Sequence, residues 1–363
     1  MKKNIVVALV MFLILFVASE ILLRALDYAR GYPFWSNTHR NLVTKTMKPL
    51  IPYRIFGWPL YEDIDGKTYI VSVHGERYPL KKENNTFRVV ALGGSTTKNF
   101  VDGAHYPLLL QRMLQEKYPE KNIEVINVGN DAYATTHIIT LLAFDVISWK
   151  PDLVIASENF NDLSAAYWPH LRYDYSNKYG TAFYMPNYAE RLTKTNILFN
   201  WSSFYWFLRA KRRAALSALA QQQEPSYQRV SYGNEPPALV QKIFRRNLAT
   251  FVAIAQTNNI PVILGTQPLQ ESLAYWDNHM RFKPYNNVVV YPTHEEFILH
   301  HRRFNDIIKS VAQDTNSFFT DNNEFFANNP ELFVDFAHYT RRGLETLARH
   351  YADLIISRHI ITP

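Results

Sequence analysis

Phe87-Arg88-Val89-Val90-Ala91-Leu92-Gly93-Gly94-Ser95-Thr96-Thr97 is the stretch from which the fold can be reasoned. Val89 to Leu92 is a short apolar, partly β-branched run, the pattern of a strand buried on both faces of a parallel sheet. Gly93-Gly94 closes it with a turn that needs no Cβ. Ser95 then falls where the strand hands over to a helix, at the carboxyl edge where open α/β sheets take ligands. A nucleophilic serine needs that exposure, a base within reach, and donors for a developing oxyanion. The candidate base is distant in sequence. Asp335-Phe336-Ala337-His338 precedes a helix that starts near Thr340, and the three-residue spacing lets a carboxylate and an imidazole converge from one loop. Asp335 then orients the ring while His338 takes the serine proton.

Outward from Ser95 the chain alternates strand and helix. Helical spacing runs from Tyr106 to Tyr118, and Ile123 to Val128 reads as a second strand. Thr135 to Trp149 is helical, Asp152 to Ala156 a third strand, and Glu158 to Asp162 the loop at its end. Pro237 to Asn258 reads as a long helix, Ile260 to Gly265 as a fourth strand, and Ser317 to Thr320 as a fifth. Thr293-His294-Glu295-Glu296 has the form of a capping box opening another helix. Leu344, Leu347, Tyr351, Leu354 and Ile355 give the last helix a face to cover the sheet. The alternation predicts a three-layer α/β domain with a five-stranded parallel sheet and right-handed crossovers.

These segments together resemble the SGNH/GDSL hydrolase family, over about residues 87–360. Gly93-Gly94-Ser95-Thr96 matches the first block, with Gly in place of the usual Asp before the serine. The second block, Asn-x-x-x-x-Gly, falls on Asn127 to Ala132, so Ala132 stands at its glycine. Asn161-Asp162 matches the end of Gly-x-Asn-Asp, with Asn159 at the glycine. Asp335-x-x-His338, followed by Thr340 and Gly343, matches the last block. The resemblance implies a flavodoxin-like fold and a triad of Ser95, His338 and Asp335. It also implies an oxyanion hole from the N–H groups of Ser95 and Ala132 and the amide of Asn161, with no metal or organic cofactor. Asp162 is expected to brace its loop, and Gln267, in the loop after the fourth strand, is a candidate substrate contact. The implied activity is that of a serine esterase removing an acyl group, acetyl by preference, from an envelope glycan or lipid. An O-acyltransferase acting on an envelope polysaccharide, with the same residues, is the alternative. A binding or assembly protein that keeps only the fold is a third reading.

Lys2-Lys3 precedes an apolar run from Ile5 to Ala18 that continues through Ile21, Leu22, Leu23, Ala25 and Leu26. Glu20 and Arg24, four apart, can pair on one helical face. This is long enough to cross a bilayer. Residues 1–26 are therefore read as an uncleaved anchor, with a signal peptide cut near Val17-Ala18-Ser19 as the alternative. The basic start favours an amino terminus in the cytoplasm and a catalytic domain outside it. Residues 27–86, rich in proline and aromatics, are expected to form an irregular stalk, with Thr68 to Val73 as a strand and His74-Gly75-Glu76-Arg77 as a turn. Residues 87–363 form the catalytic domain, interrupted by an insertion over 163–237. That insertion sets Tyr167, Trp168, Tyr173, Tyr175, Tyr179, Phe183 and Tyr184 ahead of an aromatic run at 199–208 and a basic one at Arg209, Lys211, Arg212 and Arg213. Such a mixture suits a membrane interface, a carbohydrate cleft or a lid packed on the domain.

Over its 363 residues the chain has no cysteine, which removes disulfides, thiolate metal sites and a cysteine nucleophile. Its net charge of +7 fits anionic partners in general, but no nucleic-acid-binding motif is present. His294-Glu295 lacks the second histidine of a zinc-protease helix, and His300-His301 is expected as a solvated pair.

Overall fold

The structure, a computed structural model, describes residues 2–29, 60–179, 202–205, 207, 208, 211, 212, 215, 231–276, 291–326 and 329–361. The proline-rich stretch 30–59 lies outside these residues. So do Phe183, Tyr184, Trp201, Trp206, Arg209 and Arg213, the connection 216–230, and the excursion 277–290. The chain divides into two compact units, Met1–Pro49 with Ala182–Pro225, and Leu50–Thr181 with Ser226–Pro363.

In the first unit, α1 (Lys2–Ala29) is 28 residues long, about 42 Å at 1.5 Å per residue. Its segment Val6–Ala29 has a mean hydropathy of 2.9, enough by length and composition to cross a membrane or to serve as a signal sequence. Glu20 and Arg24 pair at 2.8 Å, as their spacing predicts. The sequence did not announce what else Glu20 does. Its carboxylate accepts the N–H groups of Ser203 and Phe204, each at 2.9 Å, and the Ser202 hydroxyl at 3.0 Å. It thereby caps a helical turn drawn from the aromatic insertion, satisfying amides that have no partner of their own. Phe204 meets Phe16 edge-on at 5.7 Å.

The second unit opens with three short antiparallel strands, β1 (Tyr61–Ile64), β2 (Lys67–Val71) and β3 (Arg77–Pro79), paired in that order. The irregular stalk expected here thus contains a small sheet, with Ile70 and Tyr78 buried. There follow β4 (Thr86–Gly93), α2 (Ser95–Lys98), α3 (Tyr106–Lys117), β5 (Asn122–Asn127), α4 (Thr135–Phe144), β6 (Leu153–Ser157), α5 (Phe160–Ala165) and α6 (Ser176–Tyr179). Beyond the insertion come α7 (Ala238–Thr257), β7 (Val262–Gly265), α8 (His294–Asp314), β8 (Phe318–Thr320), α9 (Asn322–Phe326) and α10 (Arg341–Ser357). The main sheet is parallel throughout, in the order β5-β4-β6-β7-β8. The chain steps from β4 to β5 on one side and then to β6 on the other. The switch point of the topology therefore lies at the carboxyl end of β4, where Ser95 stands.

Alternate residues of β4 serve the two helical layers. Val89 and Ala91 pack with Leu110 and Leu114 of α3 and with Leu344, Leu347 and Tyr351 of α10. On the other face α7 packs between α4 and α8. The capping box on α8 forms, Thr293 accepting from Glu296 N–H and Glu296 from Thr293 N–H, both at 3.3 Å. Thr340 caps α10 by accepting from Gly343 N–H at 3.2 Å.

One expectation needs correction. His300 and His301 are not solvated but fully enclosed. His300 recovers the lost hydration through the Tyr167 hydroxyl and the Gly233 carbonyl, each at 2.8 Å. Tyr167, Trp168, Tyr175 and Tyr179 are likewise core residues, while Tyr173 stays exposed. Arg88, in mid-strand, is 0% exposed. Its guanidinium donates to Glu124 at 2.6 Å and to the carbonyls of Trp149 at 2.7 Å, Pro79 at 2.6 Å and Leu80 at 3.3 Å. A buried ion pair is tolerable only with this degree of hydrogen bonding, and here it rivets the small sheet to the large one.

Candidate active site

Ser95 opens α2 and is partly exposed, with Gly94 as the preceding cap residue. Gly94 is closely hemmed in. A Cβ there would lie 2.7 Å from Asn161 Nδ2, 3.2 Å from the Tyr133 carbonyl oxygen and 3.5 Å from Glu158 Oε1. Thus the Asn161 amide and the loop that carries Ala132 both reach the residue beside Ser95. Ala132 has φ +62°, a left-handed conformation that costs a side-chain-bearing residue about 1–2 kcal/mol. The glycine of the resembled motif would adopt it freely, which is the physical sense of that motif position.

On the facing loop, His338 Nδ1 lies 2.8 Å from Asp335 Oδ2 and 3.0 Å from Oδ1. Asp335 Oδ1 also accepts the N–H groups of Ala337 at 2.9 Å and His338 at 2.8 Å. Burial alone would raise the Asp335 carboxyl. The hydrogen bond and charge of His338, with these two amides, outweigh it and hold the group below the usual carboxylate range. The carboxylate stays ionised at neutral pH, fixes the proton on Nδ1 and leaves Nε2 to act. Their side chains are 32% and 51% exposed for His338 and Asp335.

The two loops are stitched together. Asn99, four residues after Ser95, accepts from Tyr339 N–H at 2.9 Å and donates to the Tyr339 carbonyl at 3.3 Å. As the loops stand, no hydrogen bond joins the Ser95 hydroxyl to the His338 ring among the described residues. Such bonds commonly tighten only when substrate is bound.

Beneath the site lies a layer of buried polar groups. Gln267, 3% exposed, accepts Phe160 N–H at 2.7 Å and donates to the Thr96 hydroxyl at 3.2 Å. It therefore braces the Ser95 and Asn161 loops from below, where the sequence suggested a residue at the substrate surface. Asn159 donates to the His301 carbonyl at 2.9 Å and to Asn305 at 2.7 Å, so the motif's glycine position is spent on fastening α8. Asp162 accepts the Thr135 hydroxyl and its N–H. Burial raises its carboxyl to about 6, against the lowering hydrogen bonds from Thr135. Glu158 is pushed well above its ordinary value, first by burial and then by the charge of Asp162. The turn after β2 is also built of polar groups: Glu76 bonds Ser72 and, at 2.9 Å, His105 Nε2, and His105 stacks on His74 at 4.6 Å. Sequence reasoning did not single out Glu158 or Lys178; each reads as an ordinary surface charge until its burial is known.

A cleft of about 530 Å³ borders the His338 loop at Phe333, with Leu269, Gln270, Glu271, Arg302 and Phe326 on its walls.

No protein-family model and no curated protein matches this chain. Solved structures do. An acetylxylan esterase from Geobacillus stearothermophilus is similar at 16% identity and a TM-score of 0.42, over 74% of this chain and 94% of that one. A lipase/acylhydrolase from Enterococcus faecalis is similar at 16% identity and 0.43, over 75% and 96%. A GDSL-like lipase from Bacteroides thetaiotaomicron is similar at 14% identity and 0.39, over 75% and 87%. At identities this low the likeness is one of fold alone.

Proposed function

We propose that this protein is a serine esterase with Ser95, His338 and Asp335 as its triad. The observation that carries the reading is the Asp335–His338 pair on a loop stitched by Asn99 and Tyr339 to the loop of Ser95. Ser95 Oγ attacks the ester carbonyl carbon while His338 Nε2 takes the hydroxyl proton. The C–O π pair moves onto oxygen, and that oxyanion is met by the N–H groups of Ser95 and Ala132 and the amide of Asn161. Collapse expels the alcohol, which receives the proton from His338. Water then attacks the acyl carbon as His338 takes one of its protons; the bond to Ser95 Oγ breaks, that proton returns to Oγ, and the acid leaves.

The substrate proposed is an acylated glycan or lipid of the cell envelope, with acetyl the chain length to test first. An apolar α1 long enough to cross a membrane supports this setting, and Lys2 and Lys3 ahead of it favour the extracytoplasmic side for the domain. The test uses the full chain in detergent with a fluorophosphonate probe and p-nitrophenyl esters of increasing acyl length. Labelling and turnover are expected, and Ser95→Ala should abolish the first and lower kcat by at least about a thousandfold. Ser95→Ala with turnover intact would overturn the mechanism. Acyl transfer to an added oligosaccharide in preference to water would make the enzyme a transferase with the same residues.

A further inference from the structure

Two buried side chains outside the triad hold both loops that carry the oxyanion donors. Both come from α6, at the head of the expected insertion. The Tyr179 hydroxyl donates to the Ala132 carbonyl at 2.6 Å. The Lys178 ammonium donates to the Asn161 carbonyl at 2.9 Å and to the Ser164 hydroxyl at 2.6 Å. Asn177 seats the turn by donating to the carbonyls of Ala165 at 3.0 Å and Trp168 at 3.3 Å.

Lys178 is 2% exposed. An ammonium is rarely so buried, because desolvating it is costly without polar or anionic neighbours. Methionine would fill the same space without that cost, so the charge calls for a local reason. The carbonyl it grips belongs to Asn161, whose own amide stands against Gly94. The ring of Tyr179 lies 4.9 Å beneath the ammonium, and the carboxyl of Asp162 is close enough to feel its charge. Tyr179 in turn packs edge-on against His137 at 4.6 Å, and His137 stacks on Tyr133, the residue after Ala132, at 5.0 Å.

We infer that α6 is a clamp on the oxyanion hole and that Lys178 is its positioning residue. The ammonium fixes the Asn161 backbone so that the amide stays aimed beside Ser95. It also sets a positive charge, itself buried, behind the place where the oxyanion forms. Tyr179 holds Ala132 in its left-handed conformation by its carbonyl. No bond or proton changes at Lys178. The inference rests on the serine-esterase reading, and the experiment separates the two.

The full chain in detergent is assayed with p-nitrophenyl acetate and with phenylboronic acid, which adds a serine hydroxyl to give a tetrahedral anion. Ser95→Ala comes first: if turnover persists, the esterase reading falls and this inference with it. With Ser95 established, Lys178→Met is expected to lower kcat by about 10- to 100-fold, to leave KM within about threefold, and to weaken the boronate by the same factor as kcat. A residue that merely packs would leave kcat and boronate affinity within about threefold, and that result overturns the inference. Should Lys178→Met lose its cooperative melting, Tyr179→Phe decides, since it removes one hydroxyl at nearly constant volume. A kcat about tenfold lower at unchanged Tm supports the clamp, and an unchanged kcat overturns it.

Discussion

Adding one carbon at Gly94 probes the site where Asn161 stands beside Ser95. A Cβ there would sit 2.7 Å from Asn161 Nδ2, where ordinary contact begins at 3.4 Å, so the amide must retreat by about 0.7 Å. The retreat itself is cheap, because the contact is the far end of a side chain. The Tyr133 carbonyl, at 3.2 Å, yields by a few tenths of an ångström. Gly94 has φ −81°, which alanine adopts without strain. The fold should therefore survive Gly94→Ala, with Tm within about 3 °C of the parent. Catalysis should not. A donor displaced by this much loses most of its hold on the oxyanion, a loss of about 2–3 kcal/mol, or roughly 30- to 150-fold in kcat. KM should stay within about twofold, because the donor acts on the transition state and not on the ground state. Steady-state hydrolysis of p-nitrophenyl acetate, with melting followed in parallel, makes the comparison. A Gly94→Ala protein with parental kcat would refute the placement of Asn161 in the oxyanion hole.

Two further outcomes are expected. Burial holds His301 at about 3 in place of 6.5, so the stability it contributes above pH 6.5 drains away as the pH falls toward 3. At pH 4.5 the loss is about 2–3 kcal/mol. His301→Leu should remove that share, seen in urea unfolding as a smaller drop between pH 7 and 4.5 than the parent shows; identical drops would refute it. Glu20→Ala removes the cap on Ser203 and Phe204, at a cost of about 1–2 kcal/mol. Tryptic cutting at Lys211 and Arg212 in detergent should then speed up several-fold, and an unchanged rate would count against the cap.

The main sheet was legible because its strands are near-continuous apolar runs between glycine and polar turns, Val89 to Leu92 above all. The helix starts at Thr293 and Thr340 were legible because capping depends on residues three apart. Of the small sheet only β2 was legible, as the strand expected over Thr68 to Val73; β1 and β3 were not, since such short segments carry no period, and β3 is three residues long. Burial of charge was the other blind spot. Arg88, Glu158, Lys178 and His300 look like surface residues in sequence, and only tertiary neighbours reveal otherwise. In the candidate site, Ser95, the spacing of Asp335 and His338, and Asn161 could be picked out from local pattern. Asn159 and Gln267 could not be assigned their bracing parts, because Asn159 depends on α8 arriving from 142 residues away and Gln267 on partners 107 and 171 residues away.

The Arg88 rivet has a practical bearing on how this chain can be shortened. Trimming everything before the first strand of the main sheet would strip two carbonyls from a sealed guanidinium and open the hollow that Ile70 and Tyr78 now fill. The amputated protein would harbour a stranded cation against its central strand, a few residues upstream of Ser95. Any soluble version meant to keep its activity should therefore begin ahead of Tyr61.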